Sequence, residues 1–477
     1  MNKRLLVLTL TLALFAMTVA AFGQAQRTDV IWARSTAGAQ ITLNGVLNEA
    51  VWAQAESIRV YYGKNSGLPG SGWRQEAGLA PTDSTNATLK FLTVGNKLYL
   101  GVFARDKSVG GGEFNRFDGL LMNLRGRSNP NRPVPPFEYF YAWWTAPDTT
   151  LDEVGKLPGF FGFAGGRRDS VVSNGPRLGD IWNAATRVLG TSNDDATSDV
   201  GWVTEVEFNL DAKSFVIPNS NPPALRYSGG YDVTRSQGDI LEFNISIYDA
   251  DWQWPVDPAR FSGNRAWFQG PWGNASSFNI LRIYARPNVT VNSGAVPEVG
   301  PELLVRNLAN LAAPAIDGRL NDPAWASASK FDLRYGDPDL RAAYTSVGPY
   351  RSGEFQPPIG GVRAAVVDPA DATISYFYRG TTLYFGIDVR DQVVTAVPRF
   401  DQFDGVNITI NDRGAIDPGE NRLVIRELIA RVDTNGVLTR SGYLPFLIDS
   451  LSGAQAALSI NSGSTINNPN DIDSGYS

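Results

Sequence analysis

Neither cysteine nor histidine occurs anywhere in the 477 residues. Without cysteine there is no disulfide staple and no thiolate to act as nucleophile or ligand. Without histidine the commonest general base and transition-metal ligand is missing as well. Methionine is scarce, and past the N-terminal segment only Met122 remains. A haem site would need axial ligands that this chain does not carry. Zinc and copper are equally poor expectations, so a metal here would be a hard cation held by Asp, Asn and backbone oxygens, calcium above all. No cofactor is otherwise expected. No basic run occurs and the formal net charge is −6, which makes nucleic acid and anionic membranes poor partners. Beyond the first residues no apolar run is long enough to span a bilayer.

Glycine (48) and proline (29) are plentiful, and aromatic residues make up 11% of the chain. Helix-period stretches are scarce. That profile predicts an all-β protein with long turns. The N-terminus reads as a secretion signal over residues 1–23: Lys3 and Arg4, an apolar run from Leu5 to Ala16, then Ala21-Phe22-Gly23 before Gln24. The mature protein is expected outside the cytoplasm, whether extracellular, periplasmic or on the cell surface.

The chain then says the same thing twice. LNGVLNEAVWAQA (43–55) is answered by IDGRLNDPAWASA (316–328), LYLGVFARD (98–106) by LYFGIDVRD (383–391), and Phe117-Asp118-Gly119 by Phe403-Asp404-Gly405. Ordered matches at such long separation mean a duplicated domain rather than a solenoid, whose repeats are far shorter. The expected organisation is a first domain over 27–285, a Pro-, Gly- and Val-rich linker over 286–302, and a second domain over 303–477. Period-two alternation marks the strands: Leu98, Leu100 and Val102; Val206, Phe208 and Leu210; Leu241, Phe243, Ile245 and Ile247; Val406, Ile408 and Ile410. Gly475 answers Gly201, but nothing answers the strands of 203–285. The second domain is therefore expected to be an incomplete sandwich with open edges, from a gene product that runs on, with further C-terminal domains as candidate partners.

The opening motif has its own logic. Asn44-Gly45 suits a tight turn with positive φ. Asn48 stands where an N-cap would start a short helix, with Glu49 favourable to its dipole. Trp52 and Trp325, one turn on, are expected to plug the end of the sandwich as core residues.

Six landmarks in order resemble the family 9 carbohydrate-binding modules, relatives of the DOMON β-sandwich superfamily. They are LNGVLNEAVWAQA, LYLGVFARD, FNRFDGLLMNL, GWVTEVEFNL (201–210), LEFNISIYDAD (241–251) and PWGNASSFNILRI (271–283). The second domain matches the first three. The resemblance implies two tandem antiparallel β-sandwiches of jelly-roll or immunoglobulin-like form, the second incomplete. It also implies an aromatic clamp that stacks on sugar chain ends. By position the clamp maps to Phe114 and Trp272 in the first domain and to Phe400 in the second. The chain departs from the family pattern in having Phe at the first clamp position, and Leu121 and Asn407 where the family has Glu. Trp272 reads equally as a platform or a core residue.

Domain one holds eleven of the twelve tryptophans. In the alternating strand FEYFYAWW (137–144) one of Trp143 and Trp144 should face outward. Trp252 and Trp254 flank Gln253 in a loop-like stretch, either as binding surface or as satellite core. Glu205 and Glu207 are too close together for an inverting hydrolase pair, and read as solvated or turn-bonding groups. Asp249 and Asp251, with Asp194, Asp195 and Asp199, are candidate oxygen donors to structural calcium, the ligand set remaining unassigned. The expected function is a secreted, non-catalytic carbohydrate-binding protein that supports polysaccharide breakdown. The rivals are a structural or adhesive cell-surface sandwich that has lost its sugar site, and an accessory part of a larger glycoside hydrolase.

Overall fold

The computed structural model describes residues 29–61, 71–79, 86–113, 116–124, 137–142, 161–165, 181–217, 224–251, 262–268, 281–300, 303–333, 371–396, 404–416, 423–441, 455–468 and 470–477. The first half opens with β1 (Val30–Trp32), β2 (Arg34–Ser35), α1 (Val51–Gln54), β3 (Ser57–Tyr61), β4 (Ser71–Gly78), β5 (Asn86–Val94) and β6 (Lys97–Arg105). It continues through β7 (Gly111–Glu113), β8 (Arg116–Phe117), β9 (Gly119–Leu124), β10 (Phe137–Ala142), β11 (Phe161–Gly165), β12 (Trp182–Leu189) and β13 (Gly201–Asn209). It closes with β14 (Lys213–Ile217), β15 (Ala224–Ser228), β16 (Asp239–Asp251), β17 (Ser262–Phe268) and β18 (Leu281–Ala285). The second half holds β19 (Arg306–Asn307), α2 (Pro323–Ser327), β20 (Ser329–Leu333), β21 (Asp371–Arg379), β22 (Thr382–Arg390), β23 (Gly405–Ile416), β24 (Leu423–Asp433) and β25 (Gly436–Ser441). The protein is all-β, as composition and alternation predict. No described helix is long and apolar enough to cross a membrane.

Two sheets make the first sandwich among the described residues. One runs β1-β18-β16-β9-β10-β11, with β17 on β16 and β4 on β17; the other runs β12-β13-β6-β5-β2, with β3 on β5. The alternating apolar residues meet between them. Leu98, Leu100 and Val102 of β6, Val206 and Phe208 of β13, and Leu241, Phe243, Ile245 and Ile247 of β16 are all buried in one cluster. Rings lock the sheets edge to face: Phe243 meets Phe91 at 5.7 Å and Phe208 at 6.0 Å, and Tyr139 meets Phe208 at 4.8 Å. Such pairs add to the area term that drives burial. The opposite face of β16 is covered too. Glu242, Asn244 and Ser246 are buried, and the guanidinium of Arg282, across from Glu242, donates to Asp29 at 2.6 Å.

The repeated opening motif sits elsewhere than expected. Trp52 packs with Leu92, Tyr99 and Val291, and Trp325 with Leu308, Ala324 and Phe377. These clusters lie on the outer faces of β5-β6 and β21-β22, so the two Trp cover a sheet from outside and do not plug the end of the sandwich. The reason is visible in the strands. A Cβ at Gly101 would stand 2.5 Å from Leu47 Cδ2 and 3.2 Å from a Trp52 ring carbon. At Gly386 it would stand 2.7 Å from Leu320 Cδ2 and 3.0 Å from the Trp325 ring. The glycine in LYLG and LYFG is the floor on which Leu and Trp of the opening motif rest. Gly101→Ala should therefore cost about 1–3 kcal/mol through overpacking. Gly294→Ala, facing open space, should stay within about 0.5 kcal/mol. Paired denaturant melts check this, and equal midpoints would refute it.

The expected cap is also corrected. Helix α1 starts after Ala50, with no side-chain cap, and Asn48 Oδ1 accepts instead from Asn44 Nδ2 at 3.4 Å. Glu49 is spent on Thr42 N (2.9 Å), as Asp322 is on Ala315 N (3.2 Å). Helices of four and five residues have little dipole to reward a cap, so both acids tie the preceding loop down. The turn glycines behave as expected, with φ of +71° at Gly45 and +76° at Gly318.

The segment expected as a linker lies along the first half over much of its length. Trp32 Nε1 donates to the carbonyl of Pro297 (3.1 Å), and the Arg34 guanidinium donates to those of Thr290, Ser293 and Gly294 (2.8–3.2 Å). Val289, Val296 and Val299 pack around Trp32 and Tyr284.

Candidate functional site

Phe114, Trp252, Trp254, Trp272 and Phe400 all lie outside the described residues, as do Trp143 and Trp144. Their flanking strands are described. Phe114 falls between β7 and β8 in the chain, and β8 lies against β16. Trp252 and Trp254 follow directly on Asp251, the last residue of β16. Trp272 belongs to the connection from β17, whose Phe268 pairs with Ile245, to β18, whose Leu281 pairs with Phe243.

The carboxylates are resolved in detail. Glu205 is fully buried and one oxygen accepts from both Asn44 N and Gly45 N, each at 2.8 Å. Burial pushes its carboxyl above the ordinary range, and the two amides only partly offset that. Glu207 accepts from the Tyr99 hydroxyl and from Lys97 Nζ at 2.8 Å. Burial and the Glu207 charge hold the Tyr99 hydroxyl well above its usual range. Glu205 thus holds the Asn44-Gly45 turn, one of the two roles read from the sequence, whereas Glu207 is engaged by side chains of the neighbouring strand β6.

The aspartates gather differently from the sequence reading. Asp106, Asp118 and Asp249, all buried, bring carboxylate oxygens within 4.8 Å of one another. Asp118 Oδ2 accepts from Gly110 N (2.6 Å) and Oδ1 from Ala250 N (2.9 Å), while Asp106 Oδ1 accepts from Ser108 N (2.9 Å). Burial, then the charges of Asp106 and Asp249, hold the Asp118 carboxyl well above the carboxylate range. Of the five expected calcium donors only Asp249 belongs to this trio. Asp199 is held apart by Val109 N and Thr191 N (2.9 and 2.8 Å), and Asp194 and Asp195 follow the Ser192-Asn193 turn. Asp106 and Asp118 were missed, although both stand in motifs that the chain repeats.

The second half repeats much of this corner, though among the described residues nothing answers Asp249 or the Ala250 N bond to Asp118. Asp404 accepts from Thr395 N (2.5 Å) and Asp391 from Val393 N (3.0 Å). Asp473 takes Val394 N and Thr465 N, each at 2.7 Å, as Asp199 takes Val109 N and Thr191 N. Asn467 Oδ1 accepts from Ala396 N as Asn193 Oδ1 does from Gly111 N, and both Asn have positive φ. Burial, with the charges of Asp391 and Asp473 adding to it, pushes the Asp404 carboxyl up to about 7.

Three buried carboxylates in one corner raise one another's proton affinity, and their charge has to be offset by donors, positive charge or protons. With oxygen donors only, the Asp106–Asp118–Asp249 trio suits a hard ion such as calcium, which main-chain oxygens and water would complete to six to eight ligands.

No protein-family model matches the sequence, and no curated protein is similar to it at a significant level. Among solved structures the chain resembles a family 9 carbohydrate-binding module from Caldicellulosiruptor kristjanssonii in complex with cellotriose. The identity is 15% and the TM-score 0.30, over 57% of this chain and 100% of that one. The glucose complex of a family 9 module from the same organism aligns over the same shares, at 14% identity and a TM-score of 0.30.

Proposed function

We propose that this chain is a secreted, non-catalytic carbohydrate-binding protein. In this reading its halves are two copies of one sandwich domain, and the first copy grips polysaccharide or oligosaccharide between aromatic side chains in support of glycan breakdown. The observation that carries the reading is where the first-half candidates leave the described strands. Phe114, Trp252, Trp254 and Trp272 all stand on segments that join strands of the eight-stranded sheet or the hairpin against it. Aromatic rings stack on the apolar faces of sugars while nearby polar groups read the hydroxyls. The structural engagement of Glu205 and Glu207 supports a non-catalytic role. The matching aspartate corners support the duplication, and the N-terminal signal pattern supports export.

The test is a screen of the purified protein against soluble and insoluble polysaccharides, followed by Trp272→Ala. Losing a stacking ring at a hot spot costs about 1–3 kcal/mol of binding, so affinity should fall roughly ten- to hundredfold with an unchanged melt. A lowered melt of about 3–5 kcal/mol with binding retained would make Trp272 a core residue and end the clamp assignment. Release of reducing sugar would instead point to a hydrolase. No binding to any glycan would leave the structural or adhesive reading.

A further inference from the structure

Two side chains near the start of the first half reach for the main chain of residues 286–299. The Arg34 guanidinium donates to the carbonyls of Thr290 (3.2 Å), Ser293 (2.8 Å) and Gly294 (3.0 Å). Glu56 lies 3.6 Å from the same guanidinium and accepts from Trp32 N at 3.1 Å. Trp32 Nε1 in turn donates to the Pro297 carbonyl at 3.1 Å, and the Arg286 guanidinium lies 5.5 Å over the Trp32 ring. Three carbonyls converging on one planar fork of donors fix the shape of the turn that carries them, because the fork itself is rigid.

The same segment ties the two sheets together. It leaves β18 in the eight-stranded sheet and pairs with β2 in the other, on the side of β2 that does not face β5. Ser35 N donates to Val289 O and Val291 N to Ser35 O, each at 2.9 Å, in a parallel bridge between Ser35 and Thr290. Val291 joins the cluster around Trp52, while Val289, Val296 and Val299 pack on Trp32 and Tyr284. The second half takes hold soon afterwards, where Ser329 Oγ donates to Leu304 O at 3.1 Å. From Val299 to Leu304 an extended chain spans at most about 18 Å, whereas from Ala285 to Leu304 it would span about 65 Å.

We propose that residues 286–299 form a latched strap, with Arg34 as the latch, which keeps the second half on a short connection to the first. With the strap docked, the first half ends after Val299; with it released, the connection begins at Ala285 and lengthens several-fold. The length of a connection sets how concentrated one half is at any surface that the other occupies, so the latch governs whether the two halves can act on one target together. The latch is independent of the sugar site.

The test uses the full chain and two readouts. The chain has no cysteine, so Leu79→Cys with Ile472→Cys puts one spin label at an exposed position of each half. Arg34→Ala should broaden the distance distribution between the labels and extend it to longer distances. Amides of 287–299 should exchange hydrogen at least about tenfold faster, as expected of a locally opened segment, while β5 and β16 keep their protection. Val296→Asp changes the strap alone and should give the same result even if Arg34→Ala weakens β2. Arg306→Ala should leave both readouts unchanged, since it alters the matching position of the second half, where β19 lies parallel to β21 as β2 does to β5. Equal distance distributions in the parent and in Val296→Asp would overturn the proposal, as would unchanged exchange over 287–299 in both variants. So would loss of protection in β5 and β16 in both variants, since the segment would then be general support for the sandwich and not a latch.

Discussion

Glu205→Ala is expected to cost the first half about 3 kcal/mol, because it leaves two main-chain amides buried without their acceptor. For a unit of this size that is a fall in melting temperature of roughly 6–12 °C. The carboxylate closes a chain of dependencies. It fixes the Asn44-Gly45 turn against β12, where a Cβ at Gly45 would stand 2.6 Å from Arg187 N. That turn places Leu47 and Trp52 on the glycine floor of β6. Glu205→Gln keeps an acceptor and should recover most of the loss. Glu207→Ala should cost about 1 kcal/mol, since its ion pair with Lys97, whose side chain is 44% exposed, adds little. Thermal melts of the three variants decide it. A catalytic Glu205 would show the reverse pattern: an unchanged melt in both variants, and turnover lost even with Gln.

The sandwich was legible because its core is written in period two. Every residue of the 241–247 alternation and of the 98–102 alternation lands in the same buried cluster. The repeated motifs were legible in the sequence, and the structure gives each of them a physical role. Leu, Trp and the strand glycine are one interlocking contact, while the two Asp belong to one buried corner. What stayed hidden depends on contacts far apart in sequence. Nothing local distinguishes a Trp that plugs a sandwich end from one that covers a sheet, because both need only a ring in a short apolar helix. Asp106 and Asp118 were not among the oxygen donors read from the sequence, which grouped Asp194, Asp195 and Asp199 with Asp249 and Asp251. Only the pairing of β9 with β16, which sets Gly119 opposite Tyr248, brings Asp118 to Asp249. The polar residues of β16 were equally opaque: alternation predicted that Glu242, Asn244 and Ser246 face away from the core, but not that this face is buried as well.

The aspartate corners should make stability depend on pH and on divalent cations together. In the folded protein the Asp404 carboxyl sits at about 7 against an ordinary 3.8, and Asp118 is raised as well. Between those values the folded chain binds more protons than the unfolded one. Stability is thus fully present below about pH 4 and is lost as pH rises through about 7. In chelator the melting temperature should fall across that window. Calcium should reverse the fall, because a bound cation offsets the charges that the proton offset before. At a hundredfold excess over its dissociation constant it contributes about 2.7 kcal/mol, or roughly 5–10 °C, and more at pH 8 than at pH 5. Asp106→Asn tests the first corner directly. Its amide oxygen can keep Ser108 N while one charge of the trio is removed. The variant should be more stable than the parent in chelator at pH 8 and should lose the calcium response of the first half. A melt indifferent to calcium, with a flat pH profile in chelator, would mean that the corner holds neither ion nor proton. The buried carboxylates would then need another source of compensation.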